Sequence, residues 1–403
     1  MNLQKLMAGT LVTTCLGSAL QAQDFRSPEE GNWYHPVEVE TLSYLGADPA
    51  TLNAVLARIA TAKGARLGEE QPDTIKAYGA GNWIYEFRTA GEAAMTRGEG
   101  LSDPAQRRAA FTEAMVYFQT ASNPHTNDPN AVAALERSGD AYREIAVTAP
   151  GQFKVLQLQE EGKGFEAYLH LPEAEGPSPL VVMSYGSDVS KESALVFYER
   201  YLADQGIGLL SLDMPGLGDS RAFDLRDGKS DKLHAAAVRW AKQQEAIDEG
   251  NIFVMGASFG GHAAARAFLA RGDLDLAGVI SICGPLHRPF MAPPEVYDAL
   301  PAYTMDGVKT RLGLSTAAPS EEVAPLLRPI SLDQQGLMQG SKLDTPLLVI
   351  TTNADPVAPL VDVDALMQRA RNGDSVVFDI EGHCPPRAHR QAITLGWIKR
   401  HLR

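Results

Sequence analysis

The sequence predicts an α/β protein in which a mostly parallel eight-stranded sheet, with helices on both faces, follows a helical N-terminal domain. Three observations carry this. Eight short strand-like runs lie between Phe153 and Ile380, and the last six lack polar alternation, the pattern of strands buried on both faces. Helical stretches separate those six runs, which implies right-handed parallel crossovers. The first 150 residues instead show helical spacing without strand alternation. At 403 residues, 44% hydrophobic and 21% charged, the chain has room for two or three such units. With only 3 cysteines it is neither a disulfide scaffold nor, at this apolar content, a disordered or collagen-like chain.

Residues 1–22 read as a secretory signal peptide: Lys5, an uncharged stretch from Leu6 to Leu20, then small residues up to Ala22. The apolar run is shorter than the ~20 residues a membrane span needs, so cleavage after Ala22 and a periplasmic or secreted protein are expected. Two cysteines then remain, Cys283 and Cys384; an oxidising compartment permits a bond between them, but the expectation is two buried free thiols.

Residues 24–150 form the helical domain, with helices predicted from Pro49 to Ala62, Pro104 to Ala121 and Asn130 to Tyr142. Residues 151–403 form the second domain. Phe153 to Leu158 and Phe165 to Leu171 alternate around Glu161-Gly162-Lys163-Gly164, which predicts a hairpin. The buried strands follow at 180–183, 208–212, 252–255, 277–282, 347–350 and 376–380. Residues 285–342, with eight prolines, interrupt this alternation as an insertion expected to overhang a site at the carboxyl ends of the strands. Gly278 and Gly284 read as turn residues.

The chemistry concentrates at Gly256-Ala257-Ser258-Phe259-Gly260, directly between a predicted strand and a predicted helix. Such a turn holds a serine at a strained apex, and small residues two positions either side let strand and helix pass closely. A serine hydroxyl needs a base, and the base an orienting acid. His383, in the turn after the last strand, is the candidate base; Asp355, in a loop stiffened by Pro356 and Pro359, is the candidate acid. His262 is expected to pack or line the pocket, His389 and His401 to sit on the last helix, and Asp362 and Asp364 to be solvated. An oxyanion needs two N–H donors, expected from Phe259 and from Gly186 or Ser187 in the loop after Met183. Tyr185, Ser187 and His287 are candidate substrate-binding residues.

These residues resemble the α/β-hydrolase superfamily, with Asp213-Met214-Pro215-Gly216-Leu217-Gly218-Asp219-Ser220 adding to the match from about Phe153 to Arg403. More narrowly, Gly186-Ser187-Asp188-Val189-Ser190-Lys191-Glu192, Asp213-Met214-Pro215-Gly216 and the long helical N-terminal domain are similar to the FrsA-like (fermentation–respiration switch protein) esterases, a group that includes 2,6-dihydroxypseudooxynicotine hydrolase. The resemblance implies an α/β-hydrolase fold with an N-terminal helical lid domain, and substrates that are esters or 1,3-diketone-like C–C bonds. Tyr185 departs from the glycine usual in that group, which is expected to narrow the site or change the donor geometry.

The expected function is hydrolysis of a carboxylic ester through an acyl-enzyme, with C–C hydrolysis of a β-diketone or a non-catalytic binding role as alternatives. No CxxC, HExxH or EF-hand spacing and no Gly-rich phosphate loop occurs, so no metal and no cofactor is expected. A net charge of −14 argues against nucleic acid and for a small-molecule ester or related carbonyl substrate; a homodimer is compatible with the sequence.

Overall fold

The computed structural model describes residues 31–36, 39–68 and 70–403; the expected signal peptide lies outside them. Five helices come first: α1 (Val39–Leu45), α2 (Pro49–Thr61), α3 (Trp83–Gly100), α4 (Pro104–Ser122) and α5 (Pro129–Ala146). Three of them start alike. Asp48, Asp103 and Asp128 each stand before a proline, and each carboxylate accepts a backbone N–H of the first turn at 2.7–2.8 Å. Proline costs nothing there because its missing N–H would have had no partner in the helix.

Helix α3 was not foreseen, because Gly91, Gly98 and Gly100 dilute its helical signal. Two of those glycines are packing sites: a Cβ on Gly91 would stand 2.7 Å from the Phe118 ring, and one on Gly98 2.8 Å from Phe111. Helix α4 thus lays two phenyl rings directly on the α3 backbone, and the burial gained exceeds the propensity lost.

The sheet has the order β1-β2-β4-β3-β5-β6-β7-β8, with β1 (Gln152–Glu160), β2 (Lys163–Leu171), β3 (Ser178–Ser184), β4 (Gly208–Leu212), β5 (Ile247–Ala257), β6 (Gly278–Ile282), β7 (Leu347–Ala354) and β8 (Gly373–Glu381). The β1–β2 hairpin turns through Glu161 and Gly162, both with positive φ, the geometry whose twist matches a two-residue turn. Strand β2 pairs antiparallel with β4; β3 to β8 are parallel. Successive residues of the central strands point to opposite faces. Val182, Leu210, Val254 and Val349 pack with α7 (Lys232–Ala241) and α8 (Phe259–Ala270) on one face. Val181, Leu209, Met255 and Ile350 pack on the other with a helical stretch that contains α6 (Leu195–Phe197), and with the last helix, α13 (Arg387–His401). Between β6 and β7 the chain leaves the sheet through α9 (Pro294–Asp298), α10 (Ala302–Arg311) and α11 (Ser320–Leu327), and α12 (Leu360–Gln368) follows β7. Gly278 is a strand residue rather than a turn glycine: it opens β6, where a Cβ would strike the Trp397 ring at 2.6 Å. Among the described residues no helix is long and apolar enough to cross a membrane.

Buried histidines make the fold sensitive to acid. Burial lowers the pKa of His125 and His170 to about 3 and of His234 and His262 to about 4. The unfolded chain takes up these protons near pH 6.5 and the folded one does not, so the stability present above pH 6.5 falls as pH drops toward 4. Each group withholds roughly 3 kcal/mol at the bottom of that window. Asp213, pushed up to about 6 by burial, acts in the opposite sense and offsets part of one such contribution. The melting temperature should therefore fall steeply between pH 6.5 and 4.5; a flat profile would contradict the neutral, buried state of these rings.

Candidate active site

Ser258 stands between the last residue of β5 and the first of α8, with φ 54° and ψ −123°, a strained backbone for a residue with a side chain. The turn closes only because its neighbours are small. A Cβ on Gly256 would fall 2.0 Å from the Gly260 carbonyl oxygen, and one on Gly260 2.5 Å from that of Tyr185. The Ser258 amide donates to the Ile282 carbonyl at 2.9 Å, which fixes the turn to β6.

Asp355 and His383 meet this serine from the ends of β7 and β8, beyond β6. His383 Nε2 lies 2.8 Å from Ser258 Oγ, and His383 Nδ1 lies 3.0 and 2.9 Å from the two Asp355 oxygens. The two oxygens of one carboxylate facing Nδ1 place the ring proton there, which leaves the Nε2 lone pair facing the hydroxyl. Asp355 also accepts the amides of Val357 and Ala358 at 2.8 and 2.9 Å. Burial pushes its pKa up, but the His383 contact and these two amides outweigh burial and hold the carboxyl below its usual range. The arrangement can therefore draw a proton from Ser258 Oγ and stabilise the imidazolium that results.

Gly186 faces the serine directly: a Cβ there would lie 3.0 Å from Ser258 Cβ and 3.2 Å from Oγ. Its loop is anchored from below by buried Lys191, whose amide donates to Asp213 Oδ1 at 2.8 Å and whose ammonium lies 3.2 Å from both Asp213 and Glu192. The loops after β3 and β4 are thereby locked together, which gives the Lys191-Glu192 and Asp213 segments a common purpose. The Phe259 amide begins α8 beside Ser258, where the helix field favours negative charge.

The model of the FrsA-like esterases matches residues 5–403. The chain belongs to this family. The esterase FrsA of Photobacterium profundum is 28% identical over 92% of this chain and 88% of its own length, and that of Vibrio cholerae is 31% identical over 87% and 84%. Among solved structures, 2,6-dihydroxy-pseudo-oxynicotine hydrolase superposes with a TM-score of 0.70 at 20% identity, covering 90% of this chain and 95% of its own. AbyA5 gives 0.67 at 21% identity over 91% and 95%. The fold is the α/β-hydrolase fold.

In this FrsA-like chain the other expected site residues are placed unevenly. Tyr185 is buried, its hydroxyl 3.3 Å from the Ser193 carbonyl and the Arg387 guanidinium over its ring. Ser187 offers its carbonyl to Arg311 Nε at 3.0 Å. The ring nitrogens of His287 are engaged in the insertion, Nδ1 2.8 Å from Ser331 Oγ and Nε2 3.8 Å from Asp333. His262 packs: it is fully buried between Ser230 Oγ at 2.8 Å and the Ile330 carbonyl at 2.9 Å, with the Phe259 ring stacked on it. Asp362, expected in solvent, is instead buried and accepts the amides of His287 and Arg288, clamping the start of the insertion.

Cys283 and Cys384 are joined in a disulfide with Cα atoms 5.2 Å apart, which corrects the expectation of free thiols. Sequence distance hid the pairing: 101 residues separate the two, and only the parallel placement of β6 beside the strands that carry Asp355 and His383 brings them together. Their sulfurs and His383 lie close enough to suggest a metal cluster, but the sulfurs are bonded to each other. In the sequence Asp188 is only part of a motif, without a role; its position depends on how the helical domain closes over the loop after β3.

Proposed function

We propose that the protein hydrolyses a carboxylic ester with Ser258 as nucleophile. Ser258 Oγ bonds to the carbonyl carbon while its proton passes to His383 Nε2; the C–O bond to the leaving alcohol then breaks as that proton is returned to the alcohol oxygen. Water repeats the sequence on the acyl-enzyme and releases the acid. Asp355 orients His383 and stabilises its charged form, and the amides of Phe259 and Gly186 receive the oxyanion. The observation that carries this reading is the continuous series Ser258 Oγ, His383, Asp355 at the carboxyl ends of three parallel strands. Membership of the FrsA-like esterases agrees with it. We propose further that the enzyme works in an oxidising compartment outside the cytosol, a reading the Cys283–Cys384 bond supports.

The test is direct. Purified protein should hydrolyse short p-nitrophenyl esters and be labelled by a fluorophosphonate at Ser258, with the adduct located by peptide mass. A folded sample showing neither reaction would overturn the reading.

A further inference from the structure

Arg311, the last residue of α10, is buried with its guanidinium bonded to main-chain carbonyls alone. Nε donates to Ser187 at 3.0 Å, Nη1 to Gly216 at 2.7 Å, and Nη2 to Pro124 at 3.1 Å and His125 at 2.8 Å. Four of its five N–H donors are thus used. They tie the insertion to three segments: the loop after β3, the loop after β4 and the loop between α4 and α5. Asp188 and Asp213 favour its charge from nearby, but among the described residues no carboxylate bonds it. Burial lowers its pKa to about 10, so the group is still charged at pH 7. Gly216 fits closely against it: at φ 82°, a Cβ there would stand 3.2 Å from the Arg311 Cα.

Burying a cation without a bonded anion is costly, and a neutral side chain of the same length would fill the space as well. What the guanidinium adds is direction. Its planar fork fixes each acceptor along a line, whereas an ammonium is a point charge on a flexible stem. The Nε bond falls on Ser187, next to Gly186, and Gly186 is the residue whose Cβ position lies 3.2 Å from Ser258 Oγ. A peptide plane is rigid, so fixing the Ser187 carbonyl fixes one whole plane. The adjoining Gly186–Ser187 plane then has only the two dihedrals of Ser187 to turn about. The loop has other holds, at the Asp188 carbonyl, which faces the Asn123 side-chain amide at 3.1 Å, and at the Lys191 amide, which donates to Asp213. Both act farther along the chain than Ser187.

On the basis of the hydrolase reading above, we propose that Arg311 is a positioning residue for the oxyanion: its Nε–H, through the Ser187 carbonyl, keeps the Gly186–Ser187 backbone turned toward the charge that develops beside Ser258. The Nη groups have the separate task of holding the helical domain and the loop after β4 to α10. The insertion thereby contributes to the chemistry although Arg311 touches no reacting atom.

Two variants separate these tasks. Arg311→Lys places a methylene where Nε now stands, so its ammonium can serve the carbonyls of Gly216, Pro124 and His125 but gives Ser187 no donor. Arg311→Gln does the reverse, with an amide nitrogen in the place of Nε and nothing in the place of the Nη groups. With a p-nitrophenyl ester, Arg311→Lys should lose at least about ten-fold in kcat with KM within about three-fold, because acylation and deacylation both pass through the oxyanion. Inhibition by phenylboronic acid should weaken by at least about ten-fold as well: Ser258 Oγ bonds to boron while its proton passes to His383, and the adduct presents a negatively charged oxygen to the same amides. Arg311→Gln should keep more kcat than Arg311→Lys although it unfolds at lower urea. If the charge served only to join the segments, the order of kcat would be the opposite, and that order overturns the proposal. So does a smaller fall in kcat or in boronate affinity for Arg311→Lys, a loss confined to KM, or failure of both variants to fold. Where only one folds, its own expected result decides, about ten-fold in kcat being the dividing line. A wild-type protein that neither turns over the ester nor binds the boronic acid counts against the hydrolase reading itself, and this proposal falls with it; an active wild type beside an unimpaired Arg311→Lys overturns the proposal alone.

Discussion

Ser258→Ala should yield a folded protein whose turnover of a p-nitrophenyl ester is lower by on the order of 10⁶, with fluorophosphonate labelling lost. In the proposed reaction Ser258 is one of three groups that act as a unit, so His383→Ala should cost about as much and the double variant little more. Asp355→Asn should cost less, on the order of 10⁴, since His383 keeps its place against Ser258 Oγ but loses the partner that fixes its proton on Nδ1. Stability should barely move for Ser258→Ala. The backbone at φ 54° is as strained for alanine as for serine, and the amide bond to Ile282 is kept. Urea unfolding beside the kinetics separates these effects. Near-wild-type turnover by Ser258→Ala would remove this serine from the chemistry; a large fall in stability would make its loss of activity uninformative.

What the sequence made legible, and what it did not, follows from the range of the interactions involved. The three Asp-Pro helix starts are local chemistry, settled within three residues, and the helices begin where that chemistry puts them. The unbroken apolar runs reported strands covered on both faces because burial acts on each residue separately. The turn at Ser258 was readable for the same reason: glycines at 256 and 260 are demanded by the backbone on either side. Helix α3 was missed because the reason for Gly91 and Gly98 lies in Phe118 and Phe111 on another helix. Asp362 looked like one exposed acid among 50 Asp and Glu residues until the fold set two amides of the insertion against it. Asp188 sits in a segment that reads as a loop, and its meaning depends on a helical domain that closes over it from more than 60 residues upstream, at Gln119 and Asn123. Local chemistry pointed to Ser258, His383 and Asp355; the surroundings of these residues are built from long-range contacts.

Removing the Cys283–Cys384 bond should be the most damaging change outside Ser258, His383 and Asp355. The cysteines lie 101 residues apart in sequence, and cross-linking a loop of about 100 residues restricts the unfolded chain by up to about 4.7 kcal/mol on the chain-entropy account, with 2–5 kcal/mol lost when such bonds are removed. The placement gives the bond a second consequence. Cys283 directly follows Ile282, whose carbonyl holds the Ser258 amide; Cys384 directly follows His383 and offers its own amide to Asp355 at 3.4 Å. Both cysteines have positive φ, a backbone state that side chains disfavour and that the surrounding contacts must maintain. The bond therefore ties the loop that carries His383 to the strand end that fixes the turn at Ser258. Without it, Asp355 and the Thr352 hydroxyl bond to the Gly382 carbonyl are left to steer the imidazole, and an ångström of drift at the 2.8 Å Ser258–His383 contact costs about 10²-fold in turnover. Cys283→Ser/Cys384→Ser should thus unfold at lower urea and show a reduced kcat with KM little changed, because the drift affects proton transfer rather than substrate binding. Treating the folded wild-type protein with a dithiol, which reduces the bond to two thiols as it is itself oxidised, should reproduce the kinetic loss without any substitution, and removing the dithiol in air should restore activity. If the reduced protein keeps full kcat while its stability falls, the bond serves the fold alone and His383 is held by Asp355.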